Sequence, residues 1–232
     1  MKKNTTTFGA EIEKAIINVK TGSPHVVSQN YFEELKKLAK KRKTFEKVHK
    51  SDVQPNVSIG VVSKDLGIQG LDNGFNLLET ALPVTVSLSD LHKNMHDDLS
   101  QTQKALKSEG ASIINMSIHP LGKRDFKTYC ETVVPKRLYS SFLFRGWDHT
   151  AGIDARAQNS PTTGVSVENA ANALSAIIGA GAAFITLFGN SPYEEGRKSL
   201  HKESRLTMWE RMMKFSKVQG DRDTIGFPQK KI

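Results

Sequence analysis

The chain has 232 residues, with 33 lysines and arginines against 24 aspartates and glutamates, for a formal net charge of +9. A hydrophobic share of 38% beside 25% charged residues excludes an intrinsically disordered chain, and this length buries a substantial core. The single cysteine, Cys130, excludes an internal disulfide, and the start MKKNTTTFGAEIEK lacks the apolar stretch of a secretory signal, so cytoplasm is the expected compartment.

In chain order, the first element is FGAEIE, Phe8 to Glu13, running on into Ala15-Ile16-Ile17. As a strand it sends Glu11 and Glu13 to one face and Phe8, Ala10 and Ile12 to the other. Asn18 to Gly22 reads as a turn, and Gln29 to about Lys43 as an amphipathic helix. The polar loop Ser51 to Asn56 precedes an alternating strand, Val57 to Val62. A glycine-punctuated stretch then leads to a strand at Leu77 to Leu82, closed by Pro83. Ser89 is placed to cap a helix that carries Leu91, Met95, Leu99, Thr102 and Leu106 on one face and ends near Gly110. Ile113 to Ile118 is a further strand, with the loop His119 to Gly122 behind it. An aromatic-rich helix is expected over Lys136 to Trp147, and a strand over Gly152 to Ala157.

Ala170 to Phe188 runs for 19 residues without a charge, the length of a membrane span. Its many alanines and glycines, with Asn172 and Ser175, suit a buried helix packed across a sheet better, started by Ser166. The mixture of strands and helices follows no regular strand–helix–strand alternation, which implies an α+β class. One domain, residues 1–232, is expected. The basic stretch Lys36 to Lys50 invites a nucleic-acid reading, but no RNA-binding motif or aromatic interleaving accompanies it, and a solvated helix face has the same composition. No specific nucleic-acid partner and no membrane partner is expected.

Two anions on one strand face suit a hard cation such as Mg²⁺, which takes oxygen ligands. An ordinary strand with a wet polar face has the same pattern. Asp72 and Glu79 add to it from LDNGFNLLETALPV. On a strand, Leu78 and Thr80 share one face, and Glu79 shares the other with Leu77 and Ala81. An enclosed glutamate there needs a partner or a metal, because burying an unpaired charge is costly.

The ordered segments FGAEIE, DNGFNLLETALPV, TAGIDARAQNS, LFGNSPYEEG, KESRLTMW and GDRDTIGFP resemble landmarks of the glutamate-cysteine ligases and related carboxylate-amine ligases. Together they run from Phe8 to Pro228. The resemblance implies a glutamine-synthetase-like catalytic fold: a curved, mainly antiparallel sheet forming a partial barrel, with helices packed outside. It implies ATP and Mg²⁺ as cofactors, with Glu11, Glu13, Asp72 and Glu79 as metal ligands. Arg205, from the element matched by Ser204, Arg205 and Trp209, would then contact a substrate carboxylate or phosphate as a catalytic and nucleotide-binding residue. The reaction implied is phosphorylation of the glutamate γ-carboxylate and displacement of phosphate by an amine. Cysteine is the leading acceptor, another amine acceptor the next, and a non-catalytic binding protein derived from such a ligase a further alternative.

The strand matching Gly152 to Gln158 departs from the family, which presents neutral His, Gln or Asn there. Asp154 is able to replace a neutral ligand at the metal, whereas Arg156 either holds a phosphate or pairs with Asp154. Family members also continue beyond the equivalent of Ile232, so a fragment or short homologue with an incomplete barrel is expected, with self-association as a way to cover the open edge. His119 reads as a loop histidine, Asn190-Ser191-Pro192 as a helix stop, and Glu194 and Glu195 as surface charges.

Overall fold

A computed structural model describes residues 6–138, 157–205 and 208. Its centre is the strand the sequence opens with. β1, Phe8–Asn18, is long enough to pair with three others. One edge takes β5, Leu77–Ala81, with Glu13 opposite Glu79. The other edge takes β7, Asn159–Thr163, along Phe8 to Ile12, and β6, Ala111–Ile114, along Ala15 to Asn18. Beyond β5 lie β4, Gly67–Leu71, then β3, Ser58–Ser63, then β2, Phe45–Lys50. Every pairing in this seven-stranded sheet is antiparallel. The expected α+β class holds, and among the described residues the sheet is open, as in a partial barrel.

Two helices cover one face. α1, Gln29–Lys41, is capped by Ser28, whose side chain accepts from the Asn30 N–H, and it buries Tyr31, Phe32, Leu35 and Ala39 along one stripe. Ile16, Ile59, Val61, Leu71 and Leu78 of the sheet meet that stripe, together with Ala105 and Leu106 of α2, Leu88–Leu106. A second cluster joins Ile12, Leu66, Leu82 and Leu91, with Phe8, Ala10 and Met95 packed on it. The apolar face expected of FGAEIE is therefore the helix-covered one.

The cap of α2 is Ser87 and not Ser89: Ser87 has extended backbone and its side chain accepts from the Asp90 N–H. Ser89 falls inside the first turn, and Leu99 of the expected apolar stripe is 39% exposed. Gly110, at φ 64°, ends the 3-10 turn that follows this helix.

Three strands and a short helix carry no clear sequence pattern. β2 has only Phe45 and Val48 half-buried among exposed residues, and its lysines guard the sheet edge. The basic stretch thus divides between the last turn of α1, which holds Lys40 and Lys41, and this edge strand. β4 is hidden by Gly67 and Gly70. Gly60 and Gly70 lie opposite each other in β3 and β4, where a Cβ on Gly70 would come within 2.8 Å of the Ile59 carbonyl oxygen. β7 is polar and contains Pro161, and α3, Phe126–Thr132, is short.

The expected burial of residues 170–188 is not met. α4, Ala170–Phe188, forms over the expected span, but none of its residues is buried: Ile178 is 70% exposed and Leu187 69%. A 3-10 turn over Val167–Asn169 separates it from Ser166. Small residues permit close packing without supplying a partner, and no described element lies across this helix. By length and composition alone, Val167–Phe188 is sufficient to cross a membrane, a test that core helices of soluble proteins also meet. The expected helix over Lys136 to Trp147 and strand over Gly152 to Ala157 lie almost wholly outside the described residues.

Candidate active site

The face of the sheet opposite α1 and α2 carries the acidic residues. Strand alternation places Glu11 and Glu13 on this face of β1 and Glu79 on this face of β5, beside Ala15 and Leu77, which form a small cluster with Ala157 and Ile114. Asp72 follows the last residue of β4, and its N–H donates to the Leu77 carbonyl (3.2 Å) across the tight connection into β5. Three adjacent strands therefore deliver Glu13, Glu79 and Asp72 to one region.

These carboxylates feel one another. Burial pushes the Glu13 carboxyl from 4.5 up to about 8, with Asp72 and Glu79 adding to the rise, while the Gln158 N–H and Arg205 oppose it. Glu79 is raised too, by burial first and then by Asp72, with Glu11 contributing and Lys136 opposing. Glu11 is exposed at the rim.

Two basic residues border the group. The Nζ of Lys136 donates to the carbonyls of Leu71 (2.8 Å) and Asp72 (3.0 Å). Burial lowers its pKa against the opposing pull of Asp72 and Glu79. On the other side Gln158 links β1 to Arg205. The Gln158 N–H donates to Glu13 Oε2 (2.8 Å), its carbonyl accepts from the Glu13 N–H (3.0 Å), and its side-chain Oε1 accepts from Arg205 Nη2 (2.6 Å). The Nε of Arg205 is buried and meets no acceptor among the described residues. Ser204, just before it, is fixed by its N–H donating to Ser191 Oγ (2.7 Å) and its Oγ donating to the Ser191 carbonyl (2.7 Å).

Of the residues singled out from the sequence, Glu13, Asp72, Glu79 and Arg205 lie in this region with Glu11 at its rim, and Asp154 and Arg156 lie outside the described residues. Lys136 is the participant that sequence reading passes over, because it stands at the head of an expected aromatic helix with no motif around it. Gln158 acts here through its backbone and as an acceptor for Arg205. Glu194 and Glu195 are more than surface charges, since both pair with Arg124, Glu194 at 2.8 Å and Glu195 at 3.3 Å. His119 is buried, its Nδ1 accepts from the Leu121 N–H (3.1 Å), and burial holds its pKa at about 4.

The sequence matches the model of glutamate-cysteine ligase family 2 over residues 7–230. The chain belongs to that family. Membership carries a ligase-type activity of the carboxylate-amine kind. No curated protein matches the chain.

Among the described residues no three His, Cys, Asp or Glu side chains close into a ready metal cage. The donor set nevertheless fits Mg²⁺, which keeps several waters and is held by one or two carboxylates together with substrate phosphates. All the donors here are carboxylate oxygens, and burial first, then the neighbouring carboxylates, raises the pKa of both Glu13 and Glu79, a cost that a bound cation would offset.

Proposed function

We propose that this family member is an ATP- and Mg²⁺-dependent ligase that joins the γ-carboxylate of glutamate to the amine of cysteine through an acyl phosphate, in the cytoplasm. The observation that carries the reading is the gathering of Glu13, Asp72 and Glu79 on one sheet face beside an arginine whose buried Nε–H meets no acceptor among the described residues. Carboxylates alone suit any cation, and an arginine alone suits any anion. Side by side they suit an anion that arrives with a cation, as a nucleotide triphosphate does.

Glu13, Asp72 and Glu79, with Glu11 at the rim, would hold Mg²⁺, which neutralises phosphate charge when bound, and Asp154 is a further candidate ligand. Arg205, oriented by Gln158, offers its planar fork to a phosphate or to the glutamate carboxylate, and Arg156 is a second candidate for the nucleotide. Lys136 anchors the backbone at Asp72 and so fixes one carboxylate against the others. The chemical demand is positioning: two anions must be brought into line, and fixed charges that need no rearrangement lower the barrier.

The test is ADP release and amide formation with ATP, Mg²⁺, glutamate and a panel of amines that includes cysteine. Turnover fastest with cysteine, lost in Glu13→Gln and reduced at least tenfold in Arg205→Ala, is the expected result. A different preferred amine would keep the ligase and change the acceptor. Absence of ADP release with every amine would overturn the reading.

A further inference from the structure

The acidic strands are fastened from behind by one buried carboxylate. Asp98 projects from α2 to the helix-covered face of the sheet and is wholly inaccessible to solvent, at 0%. Three strands reach it. Lys14 of β1, 2% exposed, pairs through Nζ with Asp98 Oδ2 at 2.9 Å. Thr80 of β5 donates from Oγ1 to Asp98 Oδ1 (2.8 Å), and Gln69 of β4 donates from Nε2 to the same oxygen (2.9 Å). Lys14 Nζ also donates to Thr80 Oγ1 (2.7 Å), so the strands are tied to one another as well as to the helix.

Each of these anchors backs onto the acidic face. Lys14 follows Glu13 and Thr80 follows Glu79, so side chains adjacent in sequence leave the sheet in opposite directions. Gln69 precedes Gly70, which is the residue paired with Glu79. Glu13 and Glu79 are themselves opposite each other in the register. A buried ion pair of this kind is a poor source of stability compared with a hydrophobic replacement, whereas its directional hydrogen bonds restrict the arrangements in which the Asp98 carboxylate keeps its three donors. An apolar core would have held β1, β4 and β5 together while leaving small sliding and twisting motions cheaper.

We propose that Asp98 is a positioning residue for the cation site: by binding Lys14, Thr80 and Gln69 it sets the spacing of the Glu13 and Glu79 carboxylates on the opposite face. This inference rests on the reading of that face as a cation site. It assigns to a residue of α2, on the opposite face of the sheet from the candidate site, control over cation affinity and selectivity. A divalent cation senses carboxylate spacing directly, since Mg²⁺ and Mn²⁺ demand near-octahedral geometry at short distances and Ca²⁺ tolerates looser sites.

The experiment measures Mn²⁺ affinity by electron paramagnetic resonance, with Mg²⁺ and Ca²⁺ as competitors, in wild type, Glu13→Gln, Asp98→Asn, Thr80→Val and Leu35→Ala. Circular dichroism reports folding of each protein. Leu35→Ala is the control, because it loosens the α1 cluster through a side chain that belongs neither to the Asp98 hydrogen-bond network nor to the acidic strands. The expected result is a loss of at least tenfold in Mn²⁺ affinity in Asp98→Asn, about threefold or more in Thr80→Val, a shift of competition toward Ca²⁺ in both, and a change below twofold in Leu35→Ala. Wild-type affinity in a folded Asp98→Asn, or in Thr80→Val should Asp98→Asn not fold, would show that the network only stabilises the core. An equal loss in Leu35→Ala would overturn the positioning role in the same way. A wild type that binds no Mn²⁺, or binds it as well after Glu13→Gln, would remove the cation site and this inference with it.

Discussion

Replacing Glu13 with glutamine should stabilise the cation-free protein at high pH and leave it unchanged at low pH. The Glu13 carboxyl moves from an ordinary 4.5 to about 8 through burial first and the neighbouring Asp72 carboxylate next. Below pH 4.5 the folded and unfolded chains both hold the proton, and the folded state bears no penalty. Between 4.5 and about 8 the folded state retains a proton that the unfolded chain has released, so stability falls as pH rises through this window. At about 1.4 kcal/mol for each pH unit, the interval sets a ceiling of roughly 5 kcal/mol, and solvent access at a half-buried side chain reduces this to about 2–3 kcal/mol. Glutamine copies the shape of the neutral acid and keeps an oxygen for the Gln158 N–H. The assay is urea unfolding of both proteins in a chelating buffer at pH 5, 7 and 9. The two proteins should differ by less than about 1 kcal/mol at pH 5, where the window has just opened, and by about 2–3 kcal/mol in favour of Glu13→Gln at pH 9. Mg²⁺ added at pH 9 should then raise the stability of wild type more than that of the variant. An unchanged difference between the two proteins from pH 5 to pH 9 would refute the raised Glu13 pKa that burial and the Asp72 carboxylate produce.

Further outcomes follow from the core. Lys14→Met alone and Asp98→Leu alone should each cost about 3–5 kcal/mol in urea unfolding by leaving one buried charge without its counter-ion, and the double variant should cost much less than their sum. Gly67→Ala should lower stability by roughly 2–4 kcal/mol, since a Cβ there would stand 2.3 Å from the Ala81 carbonyl oxygen at a φ of +68°. Burial holds His119 neutral down to about pH 4 against an ordinary 6.5, so the unfolded chain binds the proton first and stability is lost as pH falls through that interval. His119→Gln should flatten that acid limb in pH-dependent thermal unfolding.

Much of the architecture is legible in the chain because burial leaves a period. The alternation in Phe8 to Glu13 fixes which side of β1 faces the helices, and the stripe Tyr31, Phe32, Leu35 and Ala39 fixes the inner face of α1. The same alternation around Glu79 places Leu78 and Thr80 inward. Where burial is weak, the pattern fails. β2 is an edge strand that alternates around charges, β4 gives its pattern to glycines that let two backbones approach, and β7 is polar throughout. The candidate site is legible in its acidic members and in Arg205, whose segments resemble a known family. Lys136 and Asp98 leave no local sign, since each acts on residues more than fifteen positions away.

By itself the sequence determined the strand with Glu11 and Glu13 on one face, the two covering helices, the α+β class and membership in a ligase family, all of which follow from local periodicity and ordered motifs. Tertiary structure alone decided that Glu13 and Glu79 stand opposite each other, that Asp72 and Arg205 border them, and that α4 lies exposed. It also decided that one aspartate ties three acidic strands from behind. Strand register and helix packing are set by contacts between distant segments, and a charge acquires its chemistry only from the neighbours those contacts bring.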